Sequence, residues 1–258
     1  MKVVIFAGGF GTRISEESVF KPKPMIEIGG KPILWHIMKY YSSFGHNDFV
    51  ILSGYKQEII KQYFQNYFTN HADISFNFAK NGDCIIHQTN CEPWNVTVLD
   101  TGLNTMTGGR LKRAQKYIGN EPFMLTYGDG LSNVDLNELL EQHKKSKAMV
   151  TLTACHPEPR FGELIIDDQN MITSFKEKPK QTSQWINGGF FVCEPSVFDY
   201  IAGDEISWEN EPLRQITAEG KLYAYRHEGF WKPMDTLKDK TTLETILKEG
   251  KAPWIVWH

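Results

Sequence analysis

"VVIFAGGFGTRISEESVFKPKP", residues 3–24, runs from an unbroken apolar stretch into a loop holding Gly8, Gly9 and Gly11, with Arg13, Lys21 and Lys23 close behind. Val3 to Ala7 offers no polar residue to water, as expected of a strand covered on both faces. A glycine-rich loop after such a strand lets backbone N–H groups come close to a phosphate, and in open α/β sheets ligands bind beyond the carboxyl ends of the strands. The spacing is not G-x-G-x-x-G, because Gly9-Phe10-Gly11 continues as Thr12-Arg13-Ile14, which argues against an NAD-linked oxidoreductase. The G-K-[ST] of a P-loop is also absent. Arg13 offers a planar fork for phosphate oxygens, and Lys21 and Lys23 offer movable point charges on a backbone stiffened by Pro22 and Pro24. The alternative is a surface turn whose cations are only solvated.

Outward from that loop the pattern alternates. Ile33, Ile37, Tyr40 and Phe44 recur at helical spacing between Pro32 and Gly45, and DFVILSG (48–54) reads as a second buried strand. KQEIIKQYFQNYF (56–68) predicts an amphipathic helix. Ile74, Phe76 and Phe78 alternate with Ser75 and Asn77, and extended stretches are expected around 84–88 and 96–100. GGRLKRAQKYIG reads as helix, FMLTYGDG as a strand ending in an acidic turn, and DLNELLEQHKK as a helix. After residue 148 strands dominate (AMVTLTAC, FGELIID, MITSFKEK, WINGGFFVC), with helices near 209–219 and 236–248. The expectation is a three-layer, Rossmann-like α/β fold with a mixed, mainly parallel sheet and a strand-rich lobe built onto its edge. One domain over 1–258 is expected, with a first lobe over about 1–147 that carries the glycine-rich loop and a second lobe with the C-terminal segment over about 148–258.

A chain of 258 residues with 41% hydrophobic residues can bury about three quarters of the surface its unfolded form exposes, so it needs no covalent staple. Its net charge of −3 gives no global positive field for nucleic acid or anionic membrane, so any cationic site is local. Cys84, Cys91, Cys155 and Cys193 show no C-x-x-C pairing and read as reduced, mostly buried thiols; without His clusters, zinc is not expected. No apolar run approaches the roughly twenty residues of a membrane span, and a soluble cytoplasmic protein is expected.

GGFGTR followed by KPKPM resembles the G-G-x-G-T-R…P-K-P signature of sugar-nucleotide pyrophosphorylases, the nucleotidyltransferases that join a nucleoside triphosphate to a sugar 1-phosphate. KPILWHIMK, EPWNVTVLDTG, MTGGRLKR, LTYGDG, INGGFFV, FWKPMDTLKDK and GKAPW look like the members using CTP and glucose 1-phosphate; only about 69–91 lacks a match. The same chemistry with UTP or dTTP is the nearest rival, and a non-catalytic nucleotide-sensing module is a rival of another class. Glu163 in RFGELI, where related enzymes often have a small residue, bears on sugar choice.

The resemblance implies nucleotide contacts at Ala7, Gly8, Gly9, Gly11, Thr12, Arg13, Lys23, Thr105, Arg110 and Gly128. It implies sugar-phosphate contacts at Gly162, Glu177, Lys178, Asn187 and Gly188, and Mg²⁺ held by Asp129 and Asp235. Arg13, Lys23, Asp129 and Lys178 carry the catalytic roles, and the assembly is a homo-oligomer, with hexamers common in the family. Other readings stand beside these. Asp235 precedes a predicted helix and suits an N-cap; KEKPK suits a solvated charge run; Lys112 and Arg113 suit a basic helix face. The C-terminal tryptophans suit core and tail packing or a subunit interface.

Overall fold

A computed structural model describes residues 1–157, 163–166, 168–176 and 184–257. The elements run β1 (Lys2–Ala7), α1 (Ile33–Ser43), β2 (Asp48–Ser53), α2 (Gln57–Asn70), β3 (Ala72–Asn77), β4 (Asp83–Thr89), β5 (Asn95–Asp100) and α3 (Thr107–Arg113). They continue as β6 (Phe123–Tyr127), β7 (Gly130–Ser132), α4 (Leu136–Ser146), β8 (Val150–Cys155), β9 (Glu163–Ile166), β10 (Ile172–Lys176), β11 (Ile186–Asn187) and β12 (Phe191–Cys193). Last come α5 (Glu211–Ala218), β13 (Leu222–His227), β14 (Trp231–Pro233) and α6 (Leu237–Lys248).

Among the described residues the central sheet has eight strands, seven in the order β11-β8-β12-β6-β1-β2-β5 and the eighth, β13, pairing in parallel with β8 off this path. β1 pairs in parallel with β2 and β6, and β2 with β5, while β12 runs antiparallel between β6 and β8. The chain leaves β1 toward β2 and β5 and returns on the other side as β6, so the switch of direction opens a crevice beyond the carboxyl end of β1. Of the strands after 148, β8, β11, β12 and β13 belong to this same sheet, while β9 pairs with β10 and β14 with β7 in separate two-stranded sheets.

The apolar run of the first strand is explained by its two neighbours. Val3, Ile5 and Ala7 face a core with Ile33, Leu34, Ile37, Leu243 and Trp254, and Val4 and Phe6 face a second core with Leu111, Phe198, Trp208 and Ile216. Successive side chains point to opposite faces, so a strand between two helical layers must be apolar throughout. The predicted helix over 108–119 breaks at Ala114 into α3 and a short turn Gln115–Ile118, which Gly119 closes at φ +87°. Asp135 caps α4 by accepting from the N–H groups of Asn137 and Glu138.

The tail returns to α1: Trp254 is buried and stacked on Phe230, and Trp257 meets Trp35 edge-on. All four cysteines are free thiols, with Cys155 and Cys193 buried, Cys91 partly buried and Cys84 exposed. Among the described residues no helix is long and apolar enough to cross a membrane.

Candidate active site

Lys23 is brought to the crevice by a tight turn. Pro22 sits at φ −65°, Met25 N–H donates to its carbonyl at 2.8 Å, and Met25 and Ile26 are buried, so the turn is anchored on both sides of the lysine. Gly11 lies at φ +66°, where L side chains are strained, and a Cβ there would stand 3.1 Å from Ser18 Cβ and 3.3 Å from Lys23 Cβ. Thr12 and Arg13 then form an exposed 3₁₀ turn ending in buried Ile14.

Asp129 and Asp235 are far apart in sequence, and backbone pairing unites them. β14 runs antiparallel to β7, matching Pro233 with Gly130, and Met234 N–H donates to Asp129 C=O at 2.8 Å. Asp129 itself and Asp235, the residue after Met234, therefore land at the same edge. Lys23 Nζ bridges the two carboxylates, 2.5 Å from Asp129 Oδ2 and 2.7 Å from Asp235 Oδ1, and Arg13 donates to Asp235 Oδ2 at 2.8 Å. The Lys23 side chain is 11% exposed and that of Arg13 73%, so only the first is an enclosed ion pair. Burial pulls the Lys23 ammonium down, but the charge of Asp129 and hydrogen bonds to Asp129 and Asp235 outweigh it and raise its pKa above the ordinary lysine value.

Asp235 is not a helix cap. Thr236 caps α6, its hydroxyl accepting from Asp239 N–H at 3.2 Å while the Asp239 carboxylate accepts from Thr236 N–H at 2.9 Å. This capping box leaves the Asp235 side chain to Lys23 and Arg13.

Beside the ion cluster a cavity of about 320 Å³ is lined by Phe6, Gly8, Gly9, Phe10, Leu103, Asn104, Thr105, Met106, Thr107, Arg110 and Tyr127. Gly8 follows β1, whose last residue is the buried Ala7, and a Cβ on Gly8 would stand 2.2 Å from Arg110 Nη1. Gly128 N–H donates to Phe6 C=O at 2.9 Å, closing the wall under Tyr127. Arg110 is 5% exposed and spends its guanidinium on Thr101 Oγ1 (2.8 Å) and the carbonyls of Gly102 (2.6 Å), Leu103 (3.1 Å) and Ser53 (3.3 Å). It braces the loop that carries buried Thr105. Lys112 donates to Phe198 C=O and Arg113 pairs with Asp204, so this basic helix face docks on the segment 198–204.

On the other side of Tyr127, Asn187 Nδ2 reaches the tyrosine hydroxyl at 3.3 Å, and Gly188, whose carbonyl accepts from Trp231 Nε1 at 2.7 Å, is buried. Gly162, Glu177 and Lys178, with the charge run that holds the last two, lie outside the described residues. Tyr127, Phe6 and Thr107 escaped the sequence reading, although Tyr127 stands directly before the recognised Gly-Asp-Gly; Glu209, which hydrogen-bonds Tyr127 and Thr107, carries no local signal at all.

Among the described residues no three His, Cys, Asp or Glu side chains converge that could hold a metal ion. The pair Asp129 and Asp235 suits a hard divalent ion, because one cationic atom of Lys23 already reaches both carboxylates, and Mg²⁺ is commonly held by one or two carboxylates completed by substrate phosphates.

A family model described as nucleotidyl transferase matches residues 2–238. Over 259 aligned positions the chain is 53% identical to the glucose-1-phosphate cytidylyltransferase of Salmonella typhi, spanning 100% of both chains. It is 43% identical to the probable glucose-1-phosphate cytidylyltransferase of Bacillus subtilis strain 168, again over 100% of both. The crystal structure of HddC from Yersinia pseudotuberculosis superposes with a TM-score of 0.70 at 24% identity, covering 95% of this chain and 99% of that one, which shows a shared fold. The family match spans nearly the whole sequence and includes both aspartates and the glycine loop: the chain belongs to the nucleotidyl transferase family.

Proposed function

We propose that this chain transfers a cytidylyl group from CTP to α-D-glucose 1-phosphate in the cytoplasm, giving CDP-glucose and pyrophosphate. The observation that carries the reading is the meeting of Lys23, Arg13, Asp129 and Asp235 in one ion cluster, whose Asp129 lies two residues along the chain from Tyr127, which with Gly8 and Gly9 lines the cavity. The substrate names of the 53% and 43% identical relatives support the choice of base and sugar.

A phosphate monoester has a second pKa near 6, so glucose 1-phosphate brings its own oxyanion nucleophile and needs no general base. One of its oxygens attacks the α-phosphorus of CTP; a new P–O bond forms, and the bond to the β-phosphate oxygen breaks with its electron pair leaving on pyrophosphate. The protein aligns two polyanions and offsets their repulsion. Gly8, Gly9 and Gly11 give close backbone approach to the triphosphate, flanked by Ala7, Thr12 and Gly128. Lys23 and Arg13 neutralise charge on the departing pyrophosphate. Lys178 holds the attacking phosphate, with Gly162, Glu177, Asn187 and Gly188 about the sugar. Mg²⁺, held by Asp129 and Asp235, would supply charge neutralisation between phosphate oxygens when bound. Cytosine presents an amine donor where uracil presents a carbonyl, so the cavity reads it with an acceptor.

Pyrophosphate release with CTP, UTP, dTTP and ATP against a panel of sugar 1-phosphates tests this. Turnover is expected to be highest with CTP and glucose 1-phosphate and to vanish when EDTA replaces Mg²⁺. Higher turnover with another nucleotide overturns the choice of base, and silence in every well indicates a nucleotide-sensing module.

The reading includes self-association. β3 and β4 form a separate hairpin whose Phe76, Phe78, Ile85 and Ile86 face solvent, Phe78 at 85% exposure. An isolated two-stranded ribbon is marginal in water, and so much uncovered apolar surface suits burial against a second copy. Light scattering during size exclusion should give a multiple of the chain mass, and Phe76→Ser with Phe78→Ser should lower it; a wild-type monomer at micromolar concentration defeats this part.

A further inference from the structure

The geometry points to Glu209 as a positioning residue that joins the nucleotide and sugar sides of the proposed site, an inference that rests on the reading above. Glu209 lies two residues before α5, directly after Trp208, which is fully buried against Phe191, so its backbone leaves an immobile anchor. Its carboxylate accepts twice: from Tyr127 OH on Oε1 at 2.8 Å and from Thr107 Oγ1 on Oε2 at 2.6 Å. Thr107 opens α3 and lines the cavity, and its hydroxyl oxygen accepts from Trp208 N–H at 2.9 Å. Tyr127 ends β6 two residues before Asp129, stacks on Phe6 with ring centroids 5.7 Å apart, and lines the same cavity.

An ionised carboxylate can only accept, so both hydroxyls must donate to it. The proton of Tyr127 is then committed, and its hydroxyl can offer Asn187 only a lone pair. Asn187 must answer with its amide nitrogen, at 3.3 Å, which turns its carbonyl oxygen to Gly189 N–H at 2.9 Å. One negative charge thereby sets the direction of every hydrogen bond from Thr107 on the nucleotide side to Asn187 on the sugar side. Glu209 is not among the residues lining the cavity; it acts through Tyr127, Thr107 and Asn187.

The test compares wild type, Glu209→Gln, Tyr127→Phe and the double variant by pyrophosphate release, with thermal melts alongside. Gln retains the shape but brings an NH₂ in place of one acceptor, so the two hydroxyls cannot both donate. Each single variant should lower kcat/KM for glucose 1-phosphate about tenfold with an unchanged melting temperature, and the double variant should fall no further, because both changes cut one chain. Losses that multiply in the double variant, kinetics of Glu209→Gln equal to wild type, or a loss that follows a lowered melting temperature would each overturn the inference. An inactive wild type that also fails to bind CTP by calorimetry overturns the functional reading and takes this inference with it; an active wild type with indifferent variants removes the inference alone.

Discussion

Replacing Lys23 by alanine lowers kcat with CTP and glucose 1-phosphate by about 10²- to 10³-fold, the range found when one preorganised electrostatic contact to a transition state is removed. Lys23 is 8% exposed, and its ammonium stands between the two carboxylates assigned to the metal, so it is held where phosphate charge must be neutralised. Water cannot substitute at once, since a preorganised ammonium costs no solvent reordering during the reaction. Arg13 remains paired with Asp235 in the variant, so one carboxylate keeps a partner and the fold should persist. Lys23→Arg should rescue little, because a planar fork does not reproduce a single nitrogen reaching two carboxylates. Initial rates, with circular dichroism as the check on folding, decide the matter; a folded Lys23→Ala variant with wild-type kcat removes Lys23 from the chemistry.

Arg110→Ala is expected to cost about 2–4 kcal/mol of stability in urea titrations and to raise the Kd for CTP roughly tenfold, given about 1.5–3 kcal/mol for hydrogen bonds involving a charged group and their non-additivity. The guanidinium joins the end of β2, at the Ser53 carbonyl, to the loop 101–103 through Thr101 Oγ1 and the carbonyls of Gly102 and Leu103, all of which would lose this donor. Burial, then the nearby Arg113 charge, lower its pKa below the usual arginine value, so the charge is held at some cost and must be satisfied by that loop. Arg110→Lys should recover only part of the stability, because one ammonium cannot span Thr101, Gly102 and Leu103 in a plane. Weakened CTP binding with unchanged stability would instead make Arg110 a direct phosphate ligand with no bracing role.

Local physics made much of this molecule legible. An apolar run with no polar member needs both faces covered, and a bare loop behind it needs a ligand or a tight turn; β1, the crevice and Gly11 at positive φ answer to those demands. The Pro-Lys-Pro turn presents Lys23 through rigidity written within four residues. The helix over DLNELLEQHKK was equally local, and Asp135 caps it by bonding only to its first turn.

Asp235 was not legible in that way. Its position before a helix fitted a cap, and only the β7–β14 ribbon, together with Thr236 and Asp239 taking over the capping, shows why its carboxylate is free to meet Lys23. Arg110 reads as a nucleotide contact in the sequence, and its bracing bonds exist only once the loop 101–103 folds around it. Glu209 meets Tyr127 from 82 residues away. Short-range features such as strand, glycine loop and anchored lysine follow from sterics and solvation along the chain. Which charges and hydroxyls share a partner depends on contacts across the sheet, where distance in space is independent of distance in sequence.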